Sequence, residues 1–263
     1  MEVTKKLNGA SYVFWGGREG YQSILNTDLK TELDNFASFL KMAVAHKKQI
    51  GADFQLLIEP KPKEPTKHQY DYDAQTVMGF LLKYDLDKEF NLNIEPNHTT
   101  LAGHSYEHDL AITAAFGKLG SIDCNTGDES LGWDTDEKKA TFVMKLVIKM
   151  GGLGQGGLNF DCKVRRESTD LEDLFIAHVG AMDVFAKGLR NAAVSINGKL
   201  SKMLTERYES WESKEGKEVR SGKSSFEQLE KFIKASPQIP VLSGKQELFD
   251  RVFNDEIHDA LRN

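Results

Sequence analysis

Four short apolar runs of this sequence each end in a carboxylate residue, and these residues are Glu59, Glu95, Asp123 and Asp161. If the runs are parallel strands, their carboxyl ends lie on one edge of the sheet, where α/β proteins build their sites. Carboxylates that meet there repel one another and raise one another's pKa, a penalty that a cation removes. Oxygen ligands of this kind favour hard divalent ions such as Mg²⁺ and Mn²⁺.

Three further residues with metal-ligand chemistry follow the same runs. His98 lies three residues after Glu95, and Asp134 and Asp136 lie in the loop after Asp123. The whole set provides enough ligands for two ions that share a bridging carboxylate, and the imidazole favours Mn²⁺, Co²⁺ or Mg²⁺ over Ca²⁺. Any one acidic residue taken alone is more typical of a helix N-cap or a surface charge. The repetition at several strand ends is what indicates a metal site.

Two other side chains near this edge could act on a substrate. Lys61 follows Glu59 by two residues, so both side chains point the same way if the strand continues. The lysine could hold or polarise a substrate oxygen, or simply balance the charge of Glu59. Trp15 ends the first apolar run. It could form an aromatic wall that excludes water, or it could pack in the core.

The elements that position these residues alternate between two patterns. Short apolar runs predict buried strands, and longer amphipathic stretches between them predict helices. Strand starts recur at intervals of about 30 to 40 residues, the size of a βαβ unit, so the pattern predicts an α/β fold with a parallel sheet. The predicted strands are 12–15, 54–58, 92–94, 120–122 and 157–160, and the predicted helices are 27–50, 73–84, 106–116, 138–150 and 171–193.

The chain changes character near residue 196. The segment 196–263 is more polar and has no strand signal, and it contains Pro237 and Pro240 before a predicted helix at 246–261. We therefore predict two regions: 1–195, which carries the metal site, and 196–263, a helical and loop arm. Such an arm wraps a neighbouring subunit or the first region, although a partly disordered tail has the same composition.

Composition excludes several classes of protein. The 263 residues carry a formal net charge of −6, which argues against a nucleic-acid partner. Two cysteines form no disulfide framework, and no apolar run approaches the roughly 20 residues that span a membrane. The N-terminus resembles neither a signal nor a transit peptide. We expect a cytoplasmic protein with a small-molecule substrate.

One further pair of histidines has metal-ligand spacing. His104 and His108 are four residues apart in a predicted helix, as in zinc proteases, but the glutamate that follows the first histidine in that motif is absent. The pattern therefore predicts two histidines on a helix face.

Several segments together resemble xylose isomerase, in its longer, bacterial-type branch. The resemblance is carried by WGGREG at 15–20, IEPKP at 58–62, PTKHQYD at 65–71, NIEPNH at 93–98, TLAGH at 100–104, GWDTD at 132–136, GLNFD at 157–161 and KVRR at 163–166. It implies a TIM-type (β/α)₈ barrel with a helical C-terminal arm, usually a homotetramer. It also implies isomerisation of xylose to xylulose, or of glucose to fructose, with two Mg²⁺, Mn²⁺ or Co²⁺ ions.

The resemblance also implies a role for each candidate residue. Lys61 contacts a substrate oxygen, and Trp15 shields the reacting carbons. The first ion is held by Glu59, Glu95, Asp123 and Asp161. The second ion is held by Glu95, His98, Asp134 and Asp136, with Glu95 as the bridge.

The resemblance begins just before the family's fourth barrel strand. We therefore expect an incomplete barrel of about five βα units with two exposed strand edges, which favour association. The family's His and Asp for sugar ring opening are not matched, so we expect weak catalysis by the isolated chain. Two alternatives remain: a remnant that binds metal or assembles with other subunits, and a metal-dependent aldolase or sugar epimerase.

Overall fold

The structure is a computed structural model that describes residues 1–130, 132–162, 164–165, 167–236, 238 and 241–260, with the backbone alone at 259 and 260. The chain forms two compact units, Met1–Leu189 and Arg190–Asn263, and the division falls within a long helix. Some residues used in the sequence argument lie outside the described ones: Lys163, Arg166, Pro237, Pro240 and Leu261.

The first unit is built on a parallel sheet of five strands. Within this sheet, each strand pairs with the strand of the same sheet that follows it in sequence, so the chain winds in one direction as it does in a (β/α) barrel. All five predicted strands are present within two residues of their predicted bounds. They are β1 (Ser11–Trp15), β3 (Gln55–Glu59), β5 (Phe90–Ile94), β6 (Leu119–Asp123) and β9 (Leu158–Asn159).

Two small antiparallel sheets were not predicted. One pairs β2 (Gly20–Tyr21) with β4 (His68–Gln69), and the other pairs β7 (Thr126–Asp128) with β8 (Gly132–Asp134). Both lie in loops, and their strands are too short to show an alternating pattern. The second sheet matters for the site because it contains Asp134.

Helices connect the strands and lie within two residues of the predicted bounds, apart from two short ones that were not predicted, α1 and α4. Helices of five or six residues are too short to show the periodicity of an amphipathic helix. The helices are α1 (Glu2–Lys6), α2 (Leu29–Gln49), α3 (Ala74–Lys83), α4 (Pro96–Leu101), α5 (His108–Ala115), α6 (Glu137–Met150) and α7 (Leu171–Ser195).

The core of the first unit lies around the central strands. Leu57 and Ile58 of β3 are fully buried although they point to opposite sides of the sheet, as expected for a parallel sheet with both faces covered. The apolar side chains of α2 are not all buried. Leu40 is buried, whereas Phe39 is 51% exposed. The Phe39 ring contacts Phe14 of β1, a strand that is paired on one side only among the described residues, so little else covers the ring.

The described part of the second unit consists of helices joined by loops and contains no strand. Its helices α8 and α11 are joined by a hydrogen bond of 2.9 Å from the backbone N of Leu200 to Glu256, and α10 starts with a capping box of Ser225 and Gln228. The helices are α8 (Lys199–Arg207), α9 (Lys214–Arg220), α10 (Phe226–Ala235) and α11 (Gln246–Ala260). No described helix of the chain is long and apolar enough to cross a membrane.

Candidate metal centre

The predicted carboxylates lie at the carboxyl edge of the five-stranded sheet. Glu59 and Asp123 are the last residues of β3 and β6, Glu95 directly follows β5, and Asp161 comes two residues after β9. Neighbouring strands run in parallel, so their ends place these side chains at one edge. The charge of Asp123 raises the pKa of Glu59, and the charge of Asp161 raises the pKa of Glu95.

A single helical turn adds the imidazole. Glu95 is the N-cap of α4 and Pro96 is its first residue, a position where the fixed φ of proline suits the helix. His98 lies three residues after Glu95, so the two side chains occupy the same face of this turn. As a result, Nε2 of His98 is 3.1 Å from Oε2 of Glu95.

Glu59, Glu95 and His98 form a compact group that we call the strand-end cluster. One ligand atom from each lies within 4.8 Å of the others, and all three residues are buried. Nδ1 of His98 is 3.1 Å from the carbonyl oxygen of Pro60, to which only a protonated nitrogen can donate. The neutral ring then presents an unprotonated Nε2 to Glu95. A lone pair of Nε2 then faces a lone pair of the Glu95 carboxylate, and a divalent cation fits between two such lone pairs.

The electrostatics of the strand-end cluster favour a cation. Burial, followed by the charges of Asp123 and Glu95, raises the pKa of Glu59 to about 9. Burial also raises the pKa of Glu95 to about 7, with Asp161 and Asp123 adding to the effect. Burial lowers the pKa of His98 to about 3, so its ring is neutral and able to act as a ligand. A divalent ion replaces the protons that otherwise relieve the repulsion.

Amide side chains orient both carboxylates, and the sequence analysis missed them. Nδ2 of Asn93 donates to Oε2 of Glu59 at 2.8 Å, and Nδ2 of Asn125 donates to Oε1 of Glu95 at 2.8 Å. Both amides are buried. Each belongs to a strand end or to the residues just after it, so the rule that located the carboxylates could have located them too.

Asp134 and Asp136 are held differently. Asp134 ends β8, is about one-third exposed, and lies 2.9 Å from Nη2 of Arg165. Asp136 is the N-cap of α6 and accepts a hydrogen bond of 2.8 Å from the backbone N of Lys139. Both aspartates therefore have local partners, and neither is among the described residues that line the cavity beside the strand-end cluster.

That cavity has a volume of about 540 Å³ and is lined by carboxylate, cationic and aromatic side chains. Nζ of Lys61 lies 5.3 Å from the centre of the Trp15 ring and 6.0 Å from that of Trp133. Its ion pair is with Glu64 at 2.6 Å, rather than with Glu59 as one interpretation of the sequence had it. Trp15 is 49% exposed, which argues against plain core packing, and its ring covers Gly17, where a Cβ would clash with the indole.

Fold and site together define a partial (β/α) barrel whose strand-end carboxylates and histidine can hold a metal ion. Among solved structures, the chain is similar to one titled L-ribulose 3-epimerase, with a TM-score of 0.55, 16% identity and coverage of 73% of this chain and 65% of that one. It is also similar to D-psicose 3-epimerase from Clostridium cellulolyticum H10, with a TM-score of 0.52, 13% identity and coverage of 71% and 66%. These likenesses concern the fold alone, and they confirm the predicted incomplete TIM-type barrel.

Sequence relatives show which proteins the chain is similar to. The chain is 53% identical to a xylose isomerase of Thermoanaerobacterium thermosaccharolyticum over 97% of this chain and 59% of the relative. It is 56% identical to a xylose isomerase of Arabidopsis thaliana over 96% of this chain and 54% of the relative. A family model described as the XylA2 C-terminal domain matches residues 204–257. The chain is thus similar to part of a xylose isomerase over almost its whole length, and the resemblance predicted from its motifs is confirmed.

Proposed function

We propose that the chain contributes to metal-dependent aldose–ketose isomerisation of a pentose such as D-xylose. The observation that carries this proposal is the strand-end cluster, which faces a cavity that also contains Lys61 and Trp15. The identity to relatives named xylose isomerase supports the choice of substrate. The chain spans 59% of the length of the first of these relatives. The activity, the substrate and the assembly of the complete relatives are therefore proposed, not shown, for this chain.

The proposal assigns two divalent ions, Mg²⁺, Mn²⁺ or Co²⁺. Glu59, Glu95, Asp123 and Asp161 would hold one ion, and Glu95, His98, Asp134 and Asp136 the other. When bound, the ions would supply Lewis-acid polarisation of two adjacent sugar oxygens. The lone pairs that His98 and Glu95 turn toward each other support this assignment.

The residues of the cavity have distinct tasks in this scheme. Lys61 is 8% exposed as a whole and presents an ammonium group to hold a substrate oxygen. Trp15 and Trp133 flank that ammonium group and exclude water from the reacting carbons. In the reaction, a hydrogen moves with its electron pair from C2 to C1, while a proton passes from O2 to O1. The aldehyde becomes an alcohol and the neighbouring alcohol becomes a ketone.

Association is the second part of the proposal. Among the described residues, β1 and β9 are each paired on one side only, and unpaired strand edges recruit further strands. In addition, α7 exposes a row of apolar side chains that is typical of a buried interface. The row includes Leu171, Phe175, Ile176 and Val179, which are 51–80% exposed. We therefore propose a homo-oligomer, a tetramer by the family resemblance, and a compact monomer in light scattering at micromolar concentration would contradict it.

An activity assay tests the proposed function. The purified chain should be assayed for xylose-to-xylulose conversion with Mn²⁺, alone and mixed with the N-terminal segment of a complete relative. We expect weak turnover alone and strong turnover in the mixture, because acid–base help in ring opening is typically worth about 10²–10⁴ in rate. Deuterium at C2 of xylose should appear at C1 of xylulose. Glu95→Gln is the inactive control, and no turnover in either sample would favour the metal-binding remnant.

A further inference from the structure

A second group of metal-ligating side chains lies away from the cavity, where α5 begins. We call His104, His108 and Asp109 the α5 cluster. The sequence predicted both histidines on one helix face, but α5 starts at His108, so His104 lies in the loop before it. The loop brings the rings together, with centroids 4.3 Å apart and planes inclined by 20°. Ligand atoms of the three residues lie within 4.8 Å of one another.

Asp109 supplies an independent sign that a ligand belongs here. Its side chain is only 4% exposed. Oδ2 accepts a hydrogen bond of 3.3 Å from the backbone N of Ala74, whereas Oδ1 has no hydrogen-bond partner in the described part of the chain. Oδ1 lies 4.0 Å from Nε2 of His108. A buried carboxylate oxygen without a partner is costly, and a cation shared with the histidines removes that cost.

The surroundings of the α5 cluster are acidic and open to solvent. Asp73, the N-cap of α3, places Oδ2 3.1 Å from Nε2 of His104. Nε2 of His108 is 3.2 Å from Oε1 of Gln75. The two histidine side chains are 29% and 35% exposed, so an ion can enter and the rings can rotate. Two carboxylates and two imidazoles together match the charge of a divalent ion.

The donor set indicates which ions fit. Two imidazoles with carboxylates suit the borderline ions Zn²⁺, Ni²⁺ and Cu²⁺, whereas Mg²⁺ prefers oxygen ligands alone. Tetrahedral coordination at about 2.0–2.1 Å requires ligand atoms about 3.3 Å apart, so a small rotation of the histidines closes the site.

We propose that His104, His108 and Asp109, assisted by Asp73, form a transition-metal site separate from the strand-end cluster. The bound ion ties the start of α3 to the loop between α4 and α5. Its binding therefore stabilises the folded chain, and this stabilisation grows with the logarithm of the ion concentration once that exceeds the dissociation constant. The proposal does not depend on the activity of the cavity.

Zn²⁺ titration by calorimetry tests this site in a Glu95→Gln background, where the strand-end cluster is disabled. We expect the background chain to bind Zn²⁺ and the added double substitution His104→Gln, His108→Gln to weaken binding by about tenfold or more. His178→Gln, which alters an exposed histidine of α7, should leave the affinity unchanged. Asp109→Asn should also weaken Zn²⁺ binding, with circular dichroism to confirm that the variant is folded.

Co²⁺ provides a second readout, because its visible absorption reports the geometry of its ligands. The Glu95→Gln chain should show a Co²⁺ spectrum that the double histidine variant lacks. Zn²⁺ affinity that is equal in the double variant and its background, or an absence of Zn²⁺ binding in the background chain, would overturn the proposal.

Discussion

The strand-end cluster and the loop that contains Asp134 and Asp136 present the same chemistry in two structural settings. The cluster is held by the buried ends of β3 and β5 and by one turn of α4, so the sheet fixes its geometry. The aspartates of the loop lie on a short two-stranded sheet and at the start of α6.

The two settings differ in whether their carboxylates already have ion-pair or hydrogen-bond partners that balance their charge without a metal. Within the cluster, Glu95 faces an unprotonated nitrogen of His98, and burial among other carboxylates raises its pKa to about 7. In the loop, Asp134 pairs with Arg165 and Asp136 caps a helix. An ion would therefore relieve the repulsion within the cluster without breaking an existing ion pair. In the loop, an ion would first have to displace Arg165 from Asp134 and the N-cap hydrogen bond from Asp136. The comparison indicates that the proposed first ion would find its ligands already at the sheet edge. The proposed second ion would find Glu95 and His98 in place, but Asp134 and Asp136 would have to leave their present partners.

The largest effect is expected from Glu95→Ala, because Glu95 is the proposed bridge between both ions. We expect binding of both ions to be lost in calorimetric titration with Mn²⁺. Asp53→Ala, which changes an exposed carboxylate, should bind Mn²⁺ as the unmodified chain does. Unchanged Mn²⁺ binding in Glu95→Ala would falsify the bridging assignment.

Asp134→Asn should remove one ion and spare the other. The loop is proposed to hold only the second ion, so the number of Mn²⁺ ions bound should fall from two to one while the tighter affinity is retained. Mn²⁺ titration followed by electron paramagnetic resonance counts the ions directly. If both ions are lost together, the two regions form a single cooperative site and the comparison fails.

Asn125→Ala should weaken the tighter ion without changing the number of ions bound. The amide of Asn125 orients Glu95 through a hydrogen bond of 2.8 Å, and the loss of such an outer contact typically costs about 10–100-fold in metal affinity. Asn91→Ala is a matched control, because this half-buried amide lies on β5 away from the strand-end cluster. Equal affinities in the two variants would show that the sheet alone orients Glu95.

The smallest effect is expected from Arg165→Gln, which releases Asp134 from its ion pair. Both side chains are about one-third exposed, and such pairs contribute about 0–1 kcal/mol. Affinity for the weaker ion should therefore rise by up to about fivefold, with the tighter ion unaffected. A fall in affinity would show that Arg165 supports the loop more than it competes with the metal.

Sequence reasoning succeeded where an element was long or repeated. The five strands and their terminal carboxylates were found because an apolar run followed by an acidic residue recurs at Glu59, Glu95 and Asp123. The motifs predicted the family resemblance, which the relatives confirm. The method failed for short elements, such as α4 and the sheet of β7 and β8, because too few residues were available to show a period.

Some features depend on contacts between residues distant in sequence, and no local pattern contains them. Asn125 reaches Glu95 across 30 positions, and Lys61 pairs with Glu64 rather than with Glu59. The buried face of α2 excludes Phe39 because its neighbour β1 is paired on one side among the described residues.

The sequence by itself determined the order of the strands along the chain, the position of four candidate carboxylates at or just after strand ends, and the family that the chain resembles. These follow from local apolar patterns and from residue types at fixed spacing. Only the tertiary structure decided which ligands share one site, which are held by other partners, and that His104 and His108 lie beside a buried, unpartnered oxygen of Asp109. The physical reason is that the burial and the convergence of these side chains arise from packing between segments distant in sequence. This packing also sets the electrostatic cost of the buried carboxylates, which a metal ion would remove.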